Sequence, residues 1–365
     1  MIRRIYLTSI MLAILSCTPV SKSHDDNSSR FHQLAKQNIE NGEYLADIML
    51  CTTCHSPMTL EHGSQRYHAT LRLAGGTKIV TPPDGTFYAK NITPDVETAI
   101  GSWNFSEIAR AFTQGIGKNG NGLRVMPYQY YDHLTNEDLN ALIAYLQSIP
   151  PIYHKIPENE PMSLGAKIIA GLKLILPFVD NPSQDFYYGD FGKFSNDADA
   201  TENNFYLAVK SEQALIVAPL KITPEIERGR YLVTISACAF CHTPVGMLGR
   251  QSIHLALAGG FKIVDPKCGS IYSKNITPDK ETGLGDWNDE QIANAITAGI
   301  SKDGRLLCAT AMPWQAYAKF SDADINAIIA YLRAIPPKSH KIPLNEPPTG
   351  EQPPIQRFFV GDEGV

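Results

Sequence analysis

The sequence repeats itself. Residues 71–120 align without gaps on residues 255–304, and 30 of the 50 positions are identical. A repeat of that size constrains the architecture more than any local propensity, because whatever one copy folds into the other must fold into as well. The match resumes at Met126-Pro127 against Met312-Pro313 and runs through Ala144-Tyr145-Leu146 against Ala330-Tyr331-Leu332. Two homologous domains are therefore expected, at 31–157 and 223–345, separated by a connector at 158–222 and followed by a tail at 346–365. At 43% hydrophobic and 19% charged residues, the 365-residue chain has enough apolar material for two cores. A net charge of −5 lacks the basic footprint of a nucleic-acid binder, and none is expected as a partner.

Each copy predicts the same helices. Thr135 and Ser321 are N-cap residues, and Leu139, Leu142, Ile143 and Leu146 recur at helical spacing until Pro150-Pro151 stops the run. Asn104 with Glu107, and Asn288 with Gln291, have the capping-box spacing of a shorter helix ending near Gly115 or Gly299. A third helix is expected ahead of each first cysteine, at about 38–50 and 224–237. Between these helices lie irregular segments, so the domain is all-α with long loops and cannot fill its own interior with side chains.

The filler is indicated by Cys51-Thr52-Thr53-Cys54-His55 and Cys238-Ala239-Phe240-Cys241-His242. C-x-x-C-H is the attachment signal for c-type haem: two thiols one helical turn apart add to the two vinyl groups, and the adjacent histidine turns onto the iron. A redox dithiol or half a zinc site shares part of the pattern. The second occurrence at the equivalent point of a duplicated domain favours haem, and the zinc reading lacks a second ligand pair. Two covalent haem c groups are expected. Met126 lies 71 residues after His55 and Met312 lies 70 after His242, each before a proline and at the same place in its repeat. They are the candidate sixth ligands, and His/Met ligation leaves iron no open position. Met49, Met58, Met162 and Met247 read as core filling. Tyr88, Trp103, Tyr272 and Trp287 read equally well as haem-propionate partners or as core.

The remaining cysteines point to an exported chain. Met1-Ile2-Arg3-Arg4, an apolar run to Leu15 and then Ser16-Cys17 describe a leader over 1–16, with Cys17 as a lipidation site and 17–30 as a flexible tether. Removal of Arg3 and Arg4 takes the net charge from −5 to −7. In an oxidising compartment Cys268 and Cys308 read as a disulfide. A sharper alternative makes Cys308 a ligand to the second iron in place of Met312. In the connector, 163–179 is apolar but too short and too charged for a good membrane span, and reads as interdomain packing or as a docking segment.

With the C-x-x-C-H motifs, the Gly-Gly segments, Lys-Asn-Ile-Thr-Pro-Asp with Glu-Thr and Gly-x-Trp beyond it, and Met-Pro before the last helix, most of residues 40–345 resembles tandem class I cytochrome c domains. The likeness is to the cytochrome subunits of bacterial membrane-bound alcohol and gluconate-type dehydrogenases. The resemblance implies thioether bonds at Cys51, Cys54, Cys238 and Cys241 and axial ligands at His55, His242, Met126 and Met312. It also implies electron transfer in the periplasm, from a dehydrogenase-like donor toward a downstream cytochrome, quinone-linked complex or oxidase. Such subunits commonly carry three haem domains, whereas this sequence has two motifs. A dihaem peroxidase, a thiosulfate-oxidising cytochrome or a haem-based sensor are the competing readings. Each wants an open, labile or cysteine-ligated iron.

Overall fold

A computed structural model describes residues 23–159 and 223–348, apart from 62–63, 69, 82–84, 124, 246–250 and 266–267, together with 357–360. The leader, Cys17 and the 163–179 segment lie outside the described residues. The first domain runs α1 (Ser23–Ile48), α2 (Cys51–His55), β1 (Met58–Glu61), β2 (Ser64–Tyr67), β3 (Lys78–Thr81), β4 (Gly85–Tyr88), α3 (Phe105–Gln114), α4 (Tyr128–Tyr131) and α5 (Asn136–Ser148). The second runs α6 (Pro224–Ile235), α7 (Cys238–Cys241), β5 (Lys262–Asp265), β6 (Gly269–Tyr272), α8 (Asp289–Thr297), α9 (Trp314–Tyr317) and α10 (Asp322–Ala334). β7 (Arg357–Val360) pairs antiparallel with β3, which returns the tail to the first domain.

The caps form where the sequence places them. Thr135 and Ser321 side chains accept from the Asp138 and Asp324 amides at 3.1 and 3.2 Å, and Asn104 and Asn288 complete capping boxes with Glu107 and Gln291. Leu142, Ile143 and Leu146 are fully buried, and Ile328, Ile329 and Leu332 on α10 are buried. These faces pack on α1 and α6, and the contact is backbone to backbone. A Cβ on Gly42 would sit 2.0 Å from the Ala141 carbonyl oxygen, and one on Gly229 only 1.8 Å from that of Ala327. Glycine is required there for close approach, since the facing atoms belong to a helix and cannot rotate away.

Two expectations are corrected. Residues 23–30, read as part of a flexible tether, are helical: α1 begins at Ser23, well before the expected 38. That stretch carries no apolar periodicity, and residues 33–38, the next part of the helix, are exposed; propagation costs little once a packed segment nucleates the turns. The loops between helices also contain regular pairing. β3 with β4 and β5 with β6 are four-residue antiparallel hairpins in matching register, Ile79 opposite Phe87 and Ile263 opposite Ile271. Such short strands give too few alternations to stand out from a loop. The fold remains mostly helical.

The domains face each other about a pseudo-two-fold axis. Tyr44 on α1 donates to Asp324 Oδ2 at 2.5 Å, and its counterpart Tyr231 on α6 donates to Asp138 Oδ2 at 2.6 Å. Tyr130 of the first domain meets Phe240 of the second edge-on, with centroids 6.2 Å apart, and its hydroxyl reaches Gln251 at 3.4 Å.

Gly229→Ala is expected to force α6 off α10. Overpacking against fixed atoms costs about 1–3 kcal/mol or more, which for a domain of this size lowers the melting temperature by at least roughly 5 °C. Thermal unfolding followed by circular dichroism checks it, and an unchanged midpoint would contradict the backbone contact.

Candidate functional site

Each C-x-x-C-H turn is attached to a long helix through one residue in left-handed conformation. Leu50 has φ 63° and Ala237 has φ 54°, and neither is glycine. The reversal ends α1 and α6 abruptly and swings the next turn inward. Non-glycine residues hold this conformation at a cost, so its presence at both equivalent positions marks a geometry the site needs. Nothing in the sequence flags it, since leucine and alanine carry no turn signal.

The turns place Cys51, Cys54, His55, Cys238, Cys241 and His242 on the wall of one continuous cavity of about 1870 Å³, which Met126 and Met312 also line. Ordinary small-molecule pockets run to roughly 1,000 Å³, so the space suits two large cofactors rather than one. The rest of the wall is mainly apolar and includes Trp103 and Trp287, which also pack on the core, as well as Tyr88 and Tyr272. The four aromatics thus stand at the cavity, and the two tryptophans also pack on the core.

The histidines are set for metal ligation. His55 Nδ1 lies 2.6 Å from the Lys90 carbonyl and His242 Nδ1 lies 2.7 Å from that of Lys274. A carbonyl can only accept, so Nδ1 carries the hydrogen and Nε2 keeps its lone pair for a metal. Burial pushes both histidines down from their ordinary pKa, which keeps the imidazoles neutral as ligation requires. The lysines belong to the repeated Lys-Asn-Ile-Thr-Pro-Asp run, whose other members hold it in place. Asn91 Nδ2 donates to the Ile152 carbonyl and Asn275 Nδ2 to that of Lys338, both at 2.7 Å. The repeated motif therefore works through its backbone, a role that residue types alone do not reveal.

The methionine segments are tied to the same turns. Tyr131, five residues after Met126, donates to the Met49 carbonyl at 2.7 Å, and Tyr317, five after Met312, donates to the Ser236 carbonyl at 2.9 Å. Burial pushes the Cys54, Cys238 and Cys241 thiols up to about 12, with the neighbouring Cys241 adding to the rise at Cys54 and at Cys238. Burial raises Cys51 as well. A redox dithiol needs the opposite shift. Among the described residues, the one cluster of metal-binding type outside the two turns is Asp265 with Cys268 and Cys308, and there the structure joins Cys268 to Cys308 with sulfurs 2.05 Å apart. The donor set in each half thus fits a covalently attached haem, and fits neither zinc nor a reactive dithiol.

The halves are not equivalent. Phe240 and Phe261 stand where the first domain has Thr53 and Thr77, and their rings lie 6.0 Å apart. The Cys268–Cys308 bond ties the β5–β6 turn to the segment leading to Met312, and the Met312 amide donates to the Cys308 carbonyl at 2.9 Å. Arg72, paired with Asp47 at 2.8 Å and Glu43 at 2.9 Å, aligns with Ala256, where Lys338 Nζ donates to the backbone carbonyl instead.

Comparison with known proteins agrees with this geometry. Residues 39–150 match the family described as cytochrome c, and residues 224–332 match the family described as cytochrome c oxidase, cbb3-type, subunit III. Each half is a cytochrome c domain, and the chain is a dihaem c-type cytochrome. Among its relatives, the cytochrome subunit of fructose dehydrogenase from Gluconobacter japonicus is 28% identical over 83% of this chain and 54% of its own length. The cytochrome c subunit of alcohol dehydrogenase (quinone) from Gluconacetobacter polyoxogenes is 29% identical over 92% of this chain and 63% of its own length. A diheme cytochrome c-type protein from Cereibacter sphaeroides is 28% identical over 78% of this chain and 82% of its own length. The chain thus spans between half and two thirds of the fructose, alcohol and gluconate dehydrogenase cytochrome subunits it matches.

The disulfide closes a separation of 40 residues, and a constraint on that many is worth about 4 kcal/mol in the unfolded chain. Cys268→Ser with Cys308→Ser is expected to lower the unfolding midpoint of the second domain and leave the first unchanged, as resolved by calorimetry of the holoprotein. Equal shifts in both domains would contradict this assignment.

Proposed function

We propose that this chain is a two-haem relay that takes electrons from a dehydrogenase-like partner and delivers them to a downstream cytochrome, quinone-linked complex or oxidase. The observation that carries the reading is the single cavity, into which two independent C-x-x-C-H turns and two methionines converge. In this assignment Cys51, Cys54, Cys238 and Cys241 hold the haems by thioether bonds. His55 with Met126, and His242 with Met312, are the axial pairs. Each haem supplies a one-electron couple, and the protein sets its potential through the ligands, the burial and the charges around it. The Lys90 and Lys274 carbonyls orient the histidines, and Tyr131 and Tyr317 hold the methionine segments to the attachment turns.

The partner class rests on similarity to cytochrome subunits of fructose, alcohol and gluconate dehydrogenases. The leader and Ser16-Cys17 favour an exported protein with a lipid anchor at Cys17, acting in the periplasm. Among the described residues, no helix is long and apolar enough to cross a membrane. Catalysis on an open iron finds less support. The thiosulfate reading needs Cys308 as a ligand, and its sulfur is bonded to Cys268.

Met126→Ala and Met312→Ala are each expected to open one iron to carbon monoxide and to lower the potential of that haem alone, since a soft thioether favours ferrous iron. The unsubstituted holoprotein should bind carbon monoxide poorly. Spectroscopic titration of the three proteins checks this, and rapid stoichiometric binding by the unsubstituted protein would replace the relay with an enzyme or a sensor.

A further inference from the structure

We infer that Tyr44 and Tyr231 are positioning residues for electron exchange between the two haem sites, an inference that rests on the relay reading above. Each hydroxyl leaves its own domain and docks on the first turn of the other domain's last helix. Tyr231 Oη donates to Asp138 Oδ2 at 2.6 Å and receives the Thr135 amide at 3.4 Å. Tyr44 Oη donates to Asp324 Oδ2 at 2.5 Å. Thr135 and Ser321 are the N-caps of α5 and α10, and Asp138 and Asp324 are their third helical residues. The two contacts are thus the same contact, made once in each direction.

Their place along the chain links them to the haem sites. Tyr44 precedes Cys51 by seven residues and Tyr231 precedes Cys238 by seven, or about two turns of helix. Each tyrosine is fixed on the helix that ends in the attachment turn, and that helix is clamped to its own domain by the glycine crossing. With one hydroxyl lost, that side of the interface is held by its packing contacts alone. With both bonded, the two helices are held at two points and the attachment turns facing the common cavity have one separation and one mutual angle. At the second of those turns Tyr130 of the first domain meets Phe240, the residue inside the second C-x-x-C, so a packed ring pair crosses the domain boundary there. Electron exchange falls exponentially with the gap between redox centres, and a small rotation at the hinge is read directly as a change in rate.

A merely stabilising role predicts something else: loss of a hydroxyl would lower the melting temperature and leave the geometry of the folded protein alone. Tyr→Phe separates the two. It keeps the ring, and it leaves neither carboxylate unpaired, since Asp324 keeps Arg228 at 2.8 Å and Asp138 keeps Asn41 at 3.0 Å.

The test uses the two-haem holoprotein and its Tyr44→Phe, Tyr231→Phe and double variants. Two haems per chain and unchanged absorption of the methionine-ligated irons establish that both sites are intact. Two quantities are then measured: the concentration-independent rate of exchange between haems after flash reduction by less than one electron per molecule, and the split Soret circular dichroism of the fully reduced protein, which reports the mutual orientation of the haems. Each single variant should slow exchange several-fold, and the double variant by more, with a weakened Soret couplet. A double variant with unchanged rate and couplet overturns the proposal while the relay stands. Absence of concentration-independent exchange in the unsubstituted protein overturns the relay itself. Should the double variant fail to fold, the single variants decide by the same criteria.

Discussion

At Gly42 and Gly229 the first and last helices of each domain touch backbone to backbone, and the placement of both haem sites depends on that contact. With no side chain between them, α1 and α5, or α6 and α10, form a stiff pair whose axes cannot slide apart. The pair presents the left-handed residue and the attachment turn at one end, and the tyrosine that reaches the other domain two turns back. A haem site needs its histidine and its sulfurs placed on a rigid element. Here the rigid element is a helix crossing made possible by the absence of one methyl group.

The site itself is assembled from backbone as much as from side chains. The histidine tautomers are set by carbonyls of Lys90 and Lys274, and the attachment turns are held by hydroxyls of Tyr131 and Tyr317 that bond to carbonyls just ahead of the cysteines. The asparagine and threonine side chains of the repeated Asn-Ile-Thr-Pro-Asp run spend their hydrogen bonds on one another and on the segment after the last helix of the domain. Recurrence of that run in both halves reflects the demands of a loop that must stay in one conformation without a sheet or helix to support it.

What could be read in advance was what has a local signature. Thr135, Ser321, Asn104 and Asn288 cap as their spacing says, and the cysteines, histidines and methionines come to one cavity as the register of the repeat requires. The hairpins escaped notice because four residues carry too little alternation. The start of α1 at Ser23 has no signature of its own, because residues 23–30 carry no apolar periodicity. The reciprocal tyrosine contacts join residues 280 and 93 positions apart. No periodicity connects such residues, and a tyrosine on a helix reads as core until its partner is located.

The arrangement of the halves has a consequence for how such a molecule can change. Two copies meeting through the same surface in both directions form the kind of interface made by a symmetric homodimer, yet here both copies lie on one chain. A homodimer would come apart on dilution, whereas a fused pair meets at an effective concentration set by its connector. In a homodimer every substitution also appears twice. Fusion removes that rule, and the second half has used the freedom: Phe261, the Cys268–Cys308 bond and the Arg228 that braces Asp324 each occur on one side only. Two haem sites of like sequence on one cavity can in this way become a donor side and an acceptor side without any loss of the surface that holds the halves together.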